Sequence, residues 1–145
     1  MAKKRPKVRG SIPEPRIPIS QSPLKFSFKH LHLEHGKFRG TLCTDTYFHR
    51  LFEALRLFST WTVERFTDEN NKEHRHRIDF PQTSEPDGFQ NIPNVDSEQF
   101  GYEDGFQFSV CPEDRGNRWR AHGILIDDTF FLVWLDPEHQ LFPQA

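Results

Sequence analysis

Arginine and histidine concentrate in two short stretches. Arg118, Arg120, His122 and His139 fall within RWRAHGILIDDTFFLVWLDPEHQLF (118–142), and His76 and Arg77 within HRHRIDF (74–80). Histidine exchanges protons near neutral pH, and the arginine fork grips phosphate or carboxylate oxygens. No Walker loop, dinucleotide fingerprint, G-x-S-x-G elbow or zinc-protease helix accompanies them. Metal-free RNA cleavage needs only a base for the 2′-hydroxyl proton, an acid for the leaving oxygen and cations for the phosphorane. The catalytic candidates are therefore His122, His76 and His139 with Arg120. Arg118, Trp119 and Arg77 are candidates for holding the substrate, an aromatic ring stacking on a base. Each has a plainer alternative: His122 as a core histidine bonded to a backbone carbonyl, and HRHRIDF as an edge strand whose charges repel other chains. His30, His32 and His35 also lie close together, and an i, i+2 pair on a strand can bind metal. HExxH, a nearby thiolate and an evident fourth ligand are all missing, so neither metal nor cofactor is expected.

These residues must be positioned by the elements that carry them. Two apolar runs flank Asp127-Asp128, and Asp tolerates the left-handed backbone of a tight hairpin. The expected strands are Trp119–Ile126 and Thr129–Asp136. Strict alternation sends Arg120, His122 and Ile124 to one face with Phe131, Val133 and Leu135. It sends Asp136 and Trp134 to the other face, which forbids a His122–Asp136 pair. A bulge at Gly123 would shift that register by one. Both faces are apolar, so the hairpin belongs at the centre of a sheet covered on both sides. Further strands are expected at Leu24–Phe28, His74–Phe80 and Phe106–Val110. Thr44 or Asp45 caps a helix with the apolar stripe Tyr47, Phe48, Leu51, Phe52, Leu55 and Phe58. Ser59-Thr60 then caps a shorter helical turn through Phe66. The fold class is α+β: an antiparallel sheet of four to five strands, one or two helices packed on it, and a central C-terminal hairpin.

Charge divides the chain unevenly. Residues 1–23 hold six basic residues against Glu14 alone, +5, which leaves −7 for residues 24–145 of a chain whose total is −2. The first 23 residues, with five of the eleven prolines, read as a disordered basic tail, and 24–145 as one domain. Gln82–Gly105 is a long acidic connection of the kind that serves as a lid or a partner surface. Cys43 and Cys111 form no CxxC pattern and suit free thiols in a reducing cytoplasm. No apolar run approaches the ~18–20 residues of a membrane span, and no secretory signal opens the chain, so a cytoplasmic protein without membrane attachment is expected.

W-R-x-H-G, an apolar strand, a turn, a second apolar strand and D-P-x-H-x-L-F resemble the closing strands of RelE-type toxin ribonucleases. The likeness covers about 25 residues. It implies functional roles for Arg118, Arg120, His139 and Phe142, RNA or the ribosome as substrate, and a cognate antitoxin as partner. Two features depart from that family: a strand precedes the helices, and the domain is acidic. The rival is a non-catalytic interaction module that holds a protein through the acidic loop and exposed aromatics.

Overall fold

The computed structural model describes residues 17–69, 74–94 and 105–143. Five strands form one sheet: β1 (Lys25–Ser27), β2 (His76–Arg77), β3 (Gly105–Ser109), β4 (Arg120–Ile126) and β5 (Thr129–Asp136). Their order is β1-β5-β4-β3-β2, which places the β4–β5 hairpin inside the sheet. The helices are α1 (Asp45–Phe58) and α2 (Val63–Thr67). The chain therefore has the expected α+β class and central hairpin. The sheet is mixed rather than purely antiparallel, because β1 runs parallel to β5. A parallel pair needs a long crossover, and both helices lie in the chain between these two strands. No helix among the described residues is long and apolar enough to cross a membrane.

Each sheet face has its own apolar layer. Leu51, Ala54, Leu55 and Phe58 of α1 pack with Phe66, Phe108, Phe130, Leu132 and Leu135 on one face. On the other, Phe38, Ile78, Phe80 and Leu141 cover Ile124, Val133 and Trp134. Phe58, Phe66, Phe108 and Phe130 on one face and Phe38 and Phe80 on the other are fully buried, and each phenylalanine removes a large area from water. The Thr44 hydroxyl caps α1 by accepting from the Tyr47 amide at 3.1 Å. The stripe is narrower than its sequence suggests, since Phe52 is 57% exposed and lies edge-on to exposed Phe28. Thr62, rather than Ser59-Thr60, caps α2.

Three other boundaries differ from the sequence pattern. The second arginine-histidine stretch forms only a two-residue edge strand. His74 has a left-handed backbone (φ 57°) that breaks the extended run before it, and a 3-10 turn at Phe80–Gln82 containing Pro81 ends it. At the other end of the chain, packing starts ahead of Leu24. Ile19–Gln21 is a 3-10 turn, and the Val63 amide donates to the Ser22 carbonyl at 3.0 Å. Backbone bonds hold this segment, and composition cannot reveal them. Residues 1–16 of the expected tail lie outside the described residues, as do residues 95–104 of the acidic connection, Phe100 included. Phe89 does anchor that connection, against Phe80 and Trp134.

The hairpin turns at Asp127-Asp128 as expected, with Asp127 left-handed (φ 55°) and Ile126 opposite Thr129. Alternation then fails at one point. Gly123 faces Leu132, but His122 faces Trp134, so Val133 is an extra residue in β5. Val133 and Trp134 both turn to the second apolar layer, Leu135 moves to the helix side, and Asp136 comes opposite Arg120. The bulge requires glycine across from it: a Cβ on Gly123 would collide with the Phe131 carbonyl oxygen and the Phe130 ring. Backbone cannot yield as a flexible side chain can. Gly123→Ala is expected to cost about 3 kcal/mol or more and to lower the urea midpoint by roughly 1 M. A midpoint within experimental error of the wild type would show that the bulge tolerates a side chain.

Candidate functional site

The corrected register lines up a polar row across four strands. His76, Gln107, His122 and Trp134 are successive Cα partners in β2, β3, β4 and β5, with Arg120 and Asp136 paired beside them. Above the row opens a cleft of about 320 Å³. His74, His76, Gln107, Arg120, His139 and Phe142 line it, together with Arg115, Gly116, Asn117 and Arg118 of the β3–β4 loop. Three arginines and three histidines thus meet in one concavity, and among the described residues no carboxylate lines it.

Arg120 anchors the cleft. Only 4% of it is exposed, and Nη1 donates to the carbonyls of Asn117 (2.7 Å) and Trp119 (3.1 Å). Its Nε has no acceptor among the described residues. Burial and neighbouring Arg118 make the guanidinium easier to deprotonate than usual, while Asp136 opposes them. Even so, arginine keeps its charge at any physiological pH. A buried cation with an unused donor is costly unless an anion completes it.

The histidines differ in what their nitrogens do. His76 Nδ1 donates to the Arg77 carbonyl (2.7 Å), and Nε2 accepts from the Gln107 amide (3.0 Å), so both nitrogens are occupied. His139 Nδ1 donates to the Phe142 carbonyl (2.8 Å), which leaves Nε2 as a lone-pair acceptor. Burial, then Arg120, hold the His139 pKa below the ordinary histidine value, so the ring is neutral at pH 7. His74 is lowered for the same two reasons, and its ring bonds the Arg115 carbonyl. His74 and His139 both have left-handed backbones (φ 57°). Such conformations in non-glycine residues cost roughly 1–3 kcal/mol and cluster at functional sites.

His122 stands apart. It is fully buried beneath the cleft, edge-on to Phe38 and Trp134, and does not line the cavity. Neither ring nitrogen has a hydrogen-bond partner among the described residues. Nε2 lies 3.6 Å from Asp136 Oδ2, the pairing that strict alternation forbids and the bulge creates. Burial, reinforced by His139, Arg120 and His76, pushes its pKa well down, so it is a neutral ring. Asp136, itself buried, accepts from the Gln140 amide (2.8 Å) and the Leu141 amide (3.0 Å), while burial holds its carboxyl above the usual range.

Of the seven residues singled out by type and spacing, Arg120, His76, His139 and Arg118 converge on the cleft. His122 supports it from below. Trp119 does not reach it: the indole packs on the helix side against Tyr47. Arg77 follows His76 on the edge strand and does not line the cleft either. The aromatic surface comes instead from Phe142, edge-on to His76 at 5.8 Å. Residue types alone passed over His74, Gln107, Arg115 and Asn117. The CPEDRGN turn feeding β4 was the available signal for the last two. His30 and His32 do not share a strand, since β1 ends at Ser27, and His30 Nδ1 donates to the Pro93 carbonyl (2.8 Å). No group of three or more His, Cys, Asp or Glu residues is arranged around a metal position among the described residues. Cys43 and Cys111 are free thiols. No protein-family model, curated protein or solved structure matches the chain.

His35, His74, His122 and His139 all bind protons less readily in the fold than in the unfolded chain. As pH falls through the ordinary histidine value near 6.5, the unfolded state takes up more protons, so stability falls on acidification from pH 7 towards 5. For His122 alone the slope approaches ~1.4 kcal/mol per pH unit. Asp136 acts with the opposite sign, but His122→Gln leaves it in place. Urea unfolding at pH 7.5 and 5.5 is expected to show a clear loss in the wild type and a shallower one in His122→Gln. Equal slopes would mean that His122 charges freely in the folded protein.

Proposed function

We propose that the cleft holds an RNA phosphodiester and that the protein is an endoribonuclease working through histidine and arginine chemistry. The observation that carries this reading is Arg120: a buried guanidinium whose Nε–H has no acceptor among the described residues, at the wall of a cavity whose described lining holds three arginines and no carboxylate. Arg120 and Arg118 hold the phosphate oxygens and stabilise the charge that builds in the transition state. His139 Nε2 takes the proton of the 2′-hydroxyl, and the 2′ oxygen attacks phosphorus. The bond to the 5′ oxygen breaks, and that oxygen takes a proton from solvent water, to which the His139 imidazolium returns the proton it took. The products are a 2′,3′-cyclic phosphate and a free 5′-hydroxyl. Phe142 offers a ring for the adjoining base.

The resemblance to RelE-type toxins supports the same reading, since Arg118, Arg120, His139 and Phe142 are the residues it singles out and all four line the cleft. On that reading the substrate is messenger or ribosomal RNA and the partner an antitoxin. The −7 charge of residues 24–145 stands against a broad nucleic-acid surface and favours a local grip on one phosphate. A second reading rests on Phe28 and Phe52, exposed and edge-on to each other at 6.4 Å, as part of a protein-binding face.

The test is cleavage of single-stranded RNA, with products analysed for cyclic phosphate ends. His139→Ala is expected to lower the rate about 10²–10⁴-fold, the usual contribution of a general base. Arg120→Ala should lower kcat/KM by a similar factor and weaken RNA binding as well. Absence of both cleavage and RNA binding in well-folded wild-type protein would leave the protein-binding face as the standing reading.

A further inference from the structure

We infer that Asp136 is a positioning residue for His139: its carboxylate fixes the turn that presents His139 to the cleft with Nε2 as the proton acceptor. The inference rests on the reading of His139 as the base.

Asp136 is the last residue of β5, and Pro137 follows it, so the chain must leave the sheet there. In the next five residues the carboxylate is used twice. Oδ1 accepts from the Gln140 amide at 2.8 Å and Oδ2 from the Leu141 amide at 3.0 Å. These two bonds close the chain around His139, whose backbone is held at φ 57°, a conformation that an unrestrained histidine rarely keeps. Within the closed turn, His139 Nδ1 reaches the Phe142 carbonyl at 2.8 Å. A carbonyl only accepts, so the proton of the neutral ring must sit on Nδ1. The tautomer of a histidine is set by the bond its other nitrogen makes. Asp136 therefore acts on the proton-transfer step through geometry, without touching the substrate.

The turn has anchors besides the carboxylate. Leu141 is fully buried, the Ser84 amide donates to its carbonyl at 3.0 Å, and the Ser84 hydroxyl donates to the Gln140 carbonyl at 2.6 Å. Asp136→Asn should thus keep the fold. It replaces one of the two acceptors by an amide NH₂, which cannot accept from a backbone N–H.

Nitrogen NMR of the histidine rings at pH 7.5, combined with steady-state RNA cleavage, tests the proposal. In the wild type, His139 is expected as a single Nδ1–H tautomer. In Asp136→Asn it should become a mixture with Nε2–H, with kcat reduced roughly 30–100-fold and KM within about threefold of wild type. A role through Arg120 and the phosphate would instead raise KM and leave the tautomer alone, and that result overturns the proposal. So does a wild-type His139 found as Nε2–H, a measurement that needs no variant. If Asp136→Asn does not fold, Asp136→Glu, which keeps the charge but displaces both acceptors by a methylene, carries the same comparison. Should wild-type protein cleave no RNA, the endoribonuclease reading falls, while the tautomers of wild type and variant still decide whether Asp136 sets the state of His139.

Discussion

Across from Gly123, β5 carries one residue more than β4, and the geometry on both sides of the sheet follows from that mismatch. The backbone of Phe131 and the ring of Phe130 occupy the space a side chain at 123 would need. Strand pairing can therefore close around the bulge only because position 123 has no Cβ. Beyond it, every residue of β5 changes face. Leu135 joins the helix-side layer, and Asp136 comes beneath the cleft beside Arg120 and His122. The carbonyl of the extra residue, Val133, accepts from the His32 amide at 2.9 Å, so the bulge also holds the segment that follows β1. An unpaired backbone group in a buried strand would otherwise cost free energy.

The site combines a dry floor with charged walls. Phe38, Trp134 and Leu141 exclude water beneath it, and that exclusion keeps His122 neutral and lowers His139. The same desolvation penalises the Arg120 charge, which survives because guanidinium is a very weak acid and Asp136 lies opposite. Cationic and neutral groups meet there: arginine and the neutral imidazole of His139 in the lining, and the second neutral imidazole, His122, underneath.

Much of this was legible in the residues themselves. Alternating apolar residues around Asp127-Asp128 gave a hairpin, and apolar content on both faces placed it inside a sheet. The stripe from Tyr47 to Phe58 gave the main helix, since helical periodicity and a Thr44 cap are local properties. Arg118, Arg120 and His139 come together at one end of the sheet, as their clustering in sequence suggests, because neighbours in sequence remain neighbours along a strand.

What tertiary structure alone decided was the face each group occupies and what it touches. Alternation assigns faces only while pairing is regular, and a single extra residue reverses the assignment for everything after it. That is why Asp136 joins Arg120 and His122, and why His122, a natural choice by type, lies sealed under the cleft. Trp119 packs against Tyr47 and Phe142 supplies the ring at the cleft, because the first faces the helix layer and the second follows a turn. His74, Gln107, Arg115 and Asn117 come from three separate segments, and only the pairing of β2, β3 and β4 assembles them. The sequence determined which elements form and which end of the hairpin is polar. The long-range packing that admits one bulge decided which side chains meet.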